Sequence, residues 1–170
     1  GGRNPQPIAS RQWDAGFLPS RYQGVEFSAS GDPVNYVRNP PGVSAKDQRQ
    51  LVDTITALNR HRNQAVRNPE IDTRIAAYEM AFRMQTSVPD LIDFSKEPKH
   101  VLDMYGPDVH RRGSFAYNCL VARKLSEKGV RFVQCMHAGW DQHRNLPTQL
   151  KIQCRDTDQP SAALVKDLKQ

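Results

Sequence analysis

The sequence predicts an α/β fold, rich in helix and poor in strand, and three observations carry that class. Apolar residues recur at steps of three and four through the middle of the chain, as in Ile71, Ile75, Tyr78 and Phe82. A helical pattern ending at Gly129 runs directly into a short apolar stretch, residues 130–136, and helix, glycine and buried strand together make half of an α/β crossover unit. A parallel sheet needs neighbouring strands, yet no second clear strand is visible and the last helical pattern has no stop signal before Gln170. The chain therefore reads as a piece of a larger α/β domain.

Residues 1–43 read as extended and irregular, punctuated by Pro5, Pro7, Pro19, Pro33, Pro40 and Pro41. Trp13, Phe17, Leu18, Tyr22, Val25 and Phe27 are expected to anchor this segment onto residues 44–170, the helical and α/β part of one incomplete domain. Ser44, with Asp47 three residues on, approximates a capping box, and Leu51, Ile55 and Leu58 follow at helical spacing. That helix fades near Arg67. Asn68 then caps a second helix with Pro69 in its first position, and Pro89 ends it. Ser95-Lys96-Glu97-Pro98 opens a short helix to about Tyr105, which Gly106-Pro107 breaks. The next helix runs from about Ser114 to Lys128 on a stripe of Phe115, Cys119, Ala122 and Leu125, with Gly129 as its left-handed cap. Thr157 or Asp158 is expected to cap a last helix with Pro160 in its first turn, burying Ala162, Ala163, Leu164, Val165 and Leu168.

Composition narrows the function classes. With 170 residues, one domain with a real core is the natural expectation, and 38% hydrophobic against 25% charged residues is polar for a globular domain without being disordered. No apolar run approaches the roughly 20 residues that span a bilayer. The net charge of +6 is spread along the chain rather than gathered into a run, which argues for a solvated surface and against a nucleic-acid footprint. The three cysteines, Cys119, Cys135 and Cys154, show no zinc-knuckle spacing and no simple disulfide framework. Cys119 and Cys135 fall on apolar faces and read as buried free thiols.

The chemistry concentrates just past the predicted strand. Asp141 and His143 arrive two residues apart, with His137 upstream. Ligands of open α/β sheets collect at the carboxyl ends of strands, so a carboxylate and an imidazole there read as a metal or acid–base pair. The plain alternative is a solvated turn. His137 reads as a further site group or a group orienting a ligand, and Asp158 as a site residue or a helix cap. Missing sheet neighbours would leave the strand edge open to pairing with a second copy.

Several segments resemble, in order, the family called domain of unknown function 1501. They are Trp13-Asp14-Ala15-Gly16-Phe17-Leu18-Pro19-Ser20 with Tyr22-Gln23-Gly24-Val25, then Tyr78-Glu79-Met80-Ala81 with Met84-Gln85 and Val88-Pro89. Cys119-Leu120-Val121-Ala122-Arg123-Lys124-Leu125 follows, running into Gly129-Val130-Arg131-Phe132-Val133-Gln134. Trp140-Asp141-Gln142-His143 and the run from Asp158 to Leu168 complete the match. The resemblance implies a sulfatase-like, alkaline-phosphatase-like α/β/α sandwich, of which this chain would be a helix-rich internal fragment with few strands. It implies a metal-dependent hydrolase of sulfate or phosphate esters, exported or periplasmic, with a small anionic ester as substrate. It implies Asp141 and His143 as ligands to a divalent metal such as zinc or manganese, although the spacing here is tighter than in sulfatase-like relatives. The first strand with its metal carboxylate and nucleophile, and later acidic and histidine motifs, would lie outside the chain, leaving this part inactive alone. The alternative is a non-catalytic binding or structural module without a metal.

Overall fold

A computed structural model of the chain describes residues 15–18, 22–28, 32–34 and 37–169. Its regular structure is helical: α1 (Ala45–Val66), α2 (Pro69–Ile92), α3 (Lys99–Tyr105), a 3-10 turn (Pro107–His110), α4 (Phe115–Glu127) and α5 (Leu146–Asp167). Backbone contacts divide the chain into two compact units, one within Gln6–Asp90 and one built on Leu91–Gln170.

In the first unit Ser44 caps α1 through the expected box, its hydroxyl accepting from Asp47 N while the Asp47 carboxylate accepts from Ser44 N at 3.0 Å. Arg67 ends α1 in the left-handed region, and the Asn68 side chain accepts from Glu70 N at 3.0 Å to start α2 at Pro69. The buried face of α1 differs from the expected stripe. Val52 and Thr56 are buried, whereas Leu51 and Leu58 are exposed. On α2 Ile75 is buried but Tyr78 is exposed. A polar contact sets this rotation. Arg49 of α1 donates to both oxygens of Glu79 on α2, at 3.0 and 2.7 Å, and lies 4.8 Å over the Phe82 ring. Asn63 bonds Asp72 nearer the connection at 3.3 Å, so the two helices run antiparallel. Pro89 does not end α2, which runs three residues past it to Ile92 with the proline inside the helix, close to its carboxyl end. In the irregular segment Trp13 lies outside the described residues. Of the other expected anchors, Phe17 is 98% exposed, Leu18, Tyr22 and Val25 are exposed, and Phe27 is half-buried.

The second unit is organised around α4. Ser114 caps it, accepting from Tyr117 N at 2.9 Å. Ala116, Tyr117, Cys119, Leu120, Val121, Ala122 and Leu125 are all buried, and a helix apolar on most sides is one surrounded by others. α3, the 3-10 turn and α5 pack against it. Gly129, at φ +87°, closes it with paired bonds from Gly129 N to Ser126 O (2.9 Å) and from Val130 N to Leu125 O (3.1 Å).

Charge ties the layers of this unit together. Arg123 of α4 bonds Glu97, which precedes α3, and its Nε lies 3.3 Å from Asp167 of α5; all three side chains are only 11–12% exposed. Lys124 reaches Glu97 at 3.2 Å, and the Tyr105 hydroxyl donates to Asp167 at 2.9 Å. Burial and this bond to a carboxylate hold the Tyr105 phenol above its ordinary range.

The predicted α/β class is corrected by this architecture. Residues 130–136 are extended but pair with no strand, and no sheet forms among the described residues. A short apolar stretch after a helix does not by itself make a strand, which also needs a ladder partner for its amides, and α4 and α5 offer side chains instead. The period of two survives without the sheet: Val133, Cys135 and His137 are half-buried, while Phe132 is 82% and Met136 55% exposed. Among the described residues the alkaline-phosphatase-like sandwich is therefore not supported, and the expectation of a strand edge that recruits a second copy loses its basis. The last helix is corrected too. It starts at Leu146 with Pro147 in its first turn, so Asp158 and Pro160 lie inside it, and of the expected core residues Ala163 is buried while Val165 and Leu168 are exposed.

Three outcomes test this account. Gly129→Ala has open space for its methyl group, so its cost is conformational alone, about 1 kcal/mol by urea unfolding. Arg123→Met leaves Glu97 and Asp167 without their main cation and should cost about 3 kcal/mol, a loss that Arg123→Met with Glu97→Gln partly restores. The Arg49 guanidinium holds the Glu79 carboxyl below its ordinary value of 4.5. A depressed folded pKa means its stabilisation is complete above that value and drains away as pH falls through the folded one. Acid unfolding followed by circular dichroism should therefore be less steep in Glu79→Gln.

Candidate functional site

The segment between α4 and α5 carries the predicted site residues. It leaves Gly129 extended and runs back along α4 with every second side chain turned inward. Cys135 Sγ donates to Asn118 O at 3.7 Å. Two residues on, the His137 ring meets Phe115 edge to face at 5.5 Å, and Trp140 flanks the same imidazole at 5.9 Å. His137 Nε2 faces Asp156 of α5 at 4.0 Å, and its Nδ1 is buried with no hydrogen-bond partner. At Gly139 the backbone takes φ +99°, and a Cβ there would lie 2.6 Å from the amide nitrogen at the flexible end of the Gln153 side chain. That left-handed φ, which L side chains rarely adopt, favours glycine and sets where the loop turns away.

Asp141 and His143 lie just beyond this turn. Asp141 Oδ2 and His143 Nε2 are 2.8 Å apart, and the two side chains are 83% and 82% exposed. The structure thus brings the two principal candidates together, in water. An exposed pair of this kind contributes at most about 1 kcal/mol to stability. Chemically, a carboxylate on one ring nitrogen orients the imidazole and leaves the other nitrogen free for a ligand.

The secondary candidates are placed elsewhere. His137 belongs to the aromatic and Asp156 contacts described above. Asp158 is an exposed interior residue of α5, not its cap. Among the described residues no three His, Cys, Asp or Glu side chains converge as a metal-binding group. Asp156 was not singled out from the sequence. Its signal appears only once α5 is begun at Leu146, when Gln153, Asp156, Thr157, Pro160, Ala163, Leu164 and Asp167 fall on one inward stripe.

A separate cavity of about 470 Å³ is lined by Ile92, Phe94, Ser95, Leu102, His110, Arg112 and Tyr117. Tyr117 packs on Phe94 at 4.9 Å, its hydroxyl is buried without a hydrogen-bond partner, and burial raises its pKa. No helix among the described residues is long and apolar enough to cross a membrane.

No curated protein and no solved structure matches the chain. One family model does, covering residues 2–170, nearly the whole chain and all the segments discussed above. The chain belongs to the family described as protein of unknown function DUF1501.

Proposed function

We propose that Asp141 and His143 supply two protein ligands to a divalent metal, zinc or manganese, in an exported hydrolase acting on sulfate or phosphate esters. The observation that carries this reading is the 2.8 Å approach of Asp141 Oδ2 to His143 Nε2 on a water-exposed loop. Carboxylate oxygen and imidazole nitrogen are the donors that zinc and manganese accept, and two donors on one such ion stand about 3 Å apart. The substrate class rests on the family's resemblance to sulfatases and alkaline phosphatases; the pair itself supports only the metal. A metal bound there would polarise the ester oxygen of an anionic substrate. A catalytic metal takes three or more protein ligands, so the remaining ligands and the nucleophile would come from outside the described residues. His137, held beneath the loop, and Gly139, turning it, would position the pair without touching the ion. Nucleic acid has no part in this reading, because the basic residues are dispersed.

One observation favours a second reading. The pair stands almost wholly in solvent with no third donor converging among the described residues. That is also what an ordinary surface ion pair looks like, and the chain would then be a non-catalytic binding or structural module.

Calorimetric titration of zinc and manganese into the chain separates the two. The metal reading expects one saturable site, weakened at least about tenfold in Asp141→Ala and in His143→Ala. Equal binding by wild type and both variants, or none by any of them, would leave the structural module as the reading for this chain.

A further inference from the structure

The register between the extended segment and α4 has a consequence for the two cysteines that the metal reading does not use. Ring contact places His137 opposite Phe115. Stepping back two residues on the same face of an extended chain moves about 6.6 Å along it, to Cys135. Moving four residues along α4 from Phe115 rises about 6 Å, to Cys119. The two steps match, so Cys135 and Cys119 come to the same level, and the contact of Cys135 Sγ with Asn118 O at 3.7 Å places it there. Both thiols are free, Cys119 buried and Cys135 half-buried.

We propose that Cys119 and Cys135 are a redox-active dithiol that closes to a disulfide, stapling residues 130–137 onto α4. Cys135 is the attacking thiol. It is the more accessible of the two, and a hydrogen bond from the Cys119 thiol draws it below its ordinary pKa, while that bond and burial push Cys119 up. The thiolate is the nucleophile in exchange, so this order follows from the contact. A low-molecular-weight disulfide such as oxidised glutathione is the oxidant. Cys135 thiolate attacks one glutathione sulfur, the glutathione S–S bond breaks, and one glutathione thiolate leaves. Cys119, deprotonated, then attacks the Cys135 sulfur of the mixed disulfide and expels the second glutathione thiolate. The two protein thiols are oxidised, the glutathione disulfide is reduced to two thiols, and the two cysteine protons end on glutathione. The staple would fix the segment leading to Gly139, and through it the position of Asp141 and His143.

The test is to incubate the folded chain with oxidised glutathione, block remaining thiols with N-ethylmaleimide, and map disulfides by mass spectrometry without reduction. The expected product has lost about 2 Da, joins the Cys119 and Cys135 peptides, and carries the maleimide on Cys154. Cys154→Ser should form the same crosslink, and Cys119→Ser should stop at a glutathione adduct on Cys135. Limited proteolysis should cut residues 130–137 more slowly in the oxidised form and recover its rate on reduction. A lasting glutathione adduct on Cys135 in the wild-type chain, a crosslink through Cys154, or three freely alkylated thiols after prolonged exposure would each overturn the proposal. If Cys119→Ser does not fold, Cys154→Ser decides the matter alone, since it retains only the two thiols in question.

Discussion

The second unit depends on where the positive charge of Arg123 goes. Its guanidinium is mostly buried, and a buried cation must be matched by acceptors or carry a penalty of several kcal/mol. Glu97 and Asp167 supply the match from opposite ends of the sequence segment, one before α3 and one at the end of α5. Tyr105 then completes Asp167 from the last residue of α3. One side chain on the central helix thereby specifies the neighbours on both sides. Such a network adds little net stability over an apolar packing of similar volume, but arrangements that leave one member unpaired are costly. Its effect is selective: it favours one register of α3 and α5 on α4 over alternatives that would bury the same apolar residues.

The candidate loop inherits its geometry from that register. α4 and α5 lie on either side of the extended segment, and each contributes a contact that limits it. Phe115 meets the His137 ring edge to face, Asn118 accepts from Cys135, and the Gln153 side chain lies against Gly139. Asp141 and His143 are free of α4 and α5 and bound to each other. A rigid base with an exposed, chemically competent tip is a common way of presenting functional groups, because the scaffold limits the tip's freedom while water and ligands reach it. The segment also carries an unburied apolar face at Val130, Phe132 and Met136, part of the apolar stretch that predicted a strand. Here the alternation records which side meets α4, and the other side meets solvent.

Local rules were legible wherever a single turn of chain settled the outcome. The Ser44–Asp47 box, the Asn68-Pro69 restart and the left-handed Gly129 all appear as read, because each is settled among residues within a few positions of one another. The pairing of Asp141 with His143 was legible for the same reason: two residues separate them. Pro147 and Pro160 show where local rules fail. Both fit a first helical turn, and only packing shows that the helix opens at the first and carries a buried second. Choosing the later proline hid the stripe containing Asp156 and Asp167. Leu51 and Tyr78 failed differently, since apolar spacing alone cannot anticipate that Arg49 and Glu79 will occupy the facing sides of their helices.

The sequence by itself determined the helices, most of their ends, the family, and the closeness of Asp141 to His143, all of which depend on short-range spacing or ordered motifs. The tertiary structure decided that residues 130–136 make no sheet, that His137 turns toward Asp156 while Asp158 stays in solvent, and that Cys119 and Cys135 share one level of the fold. Those outcomes turn on which surface a segment meets. Partners of that kind lie tens of residues away, where hydrophobic period and residue type carry no record of distance.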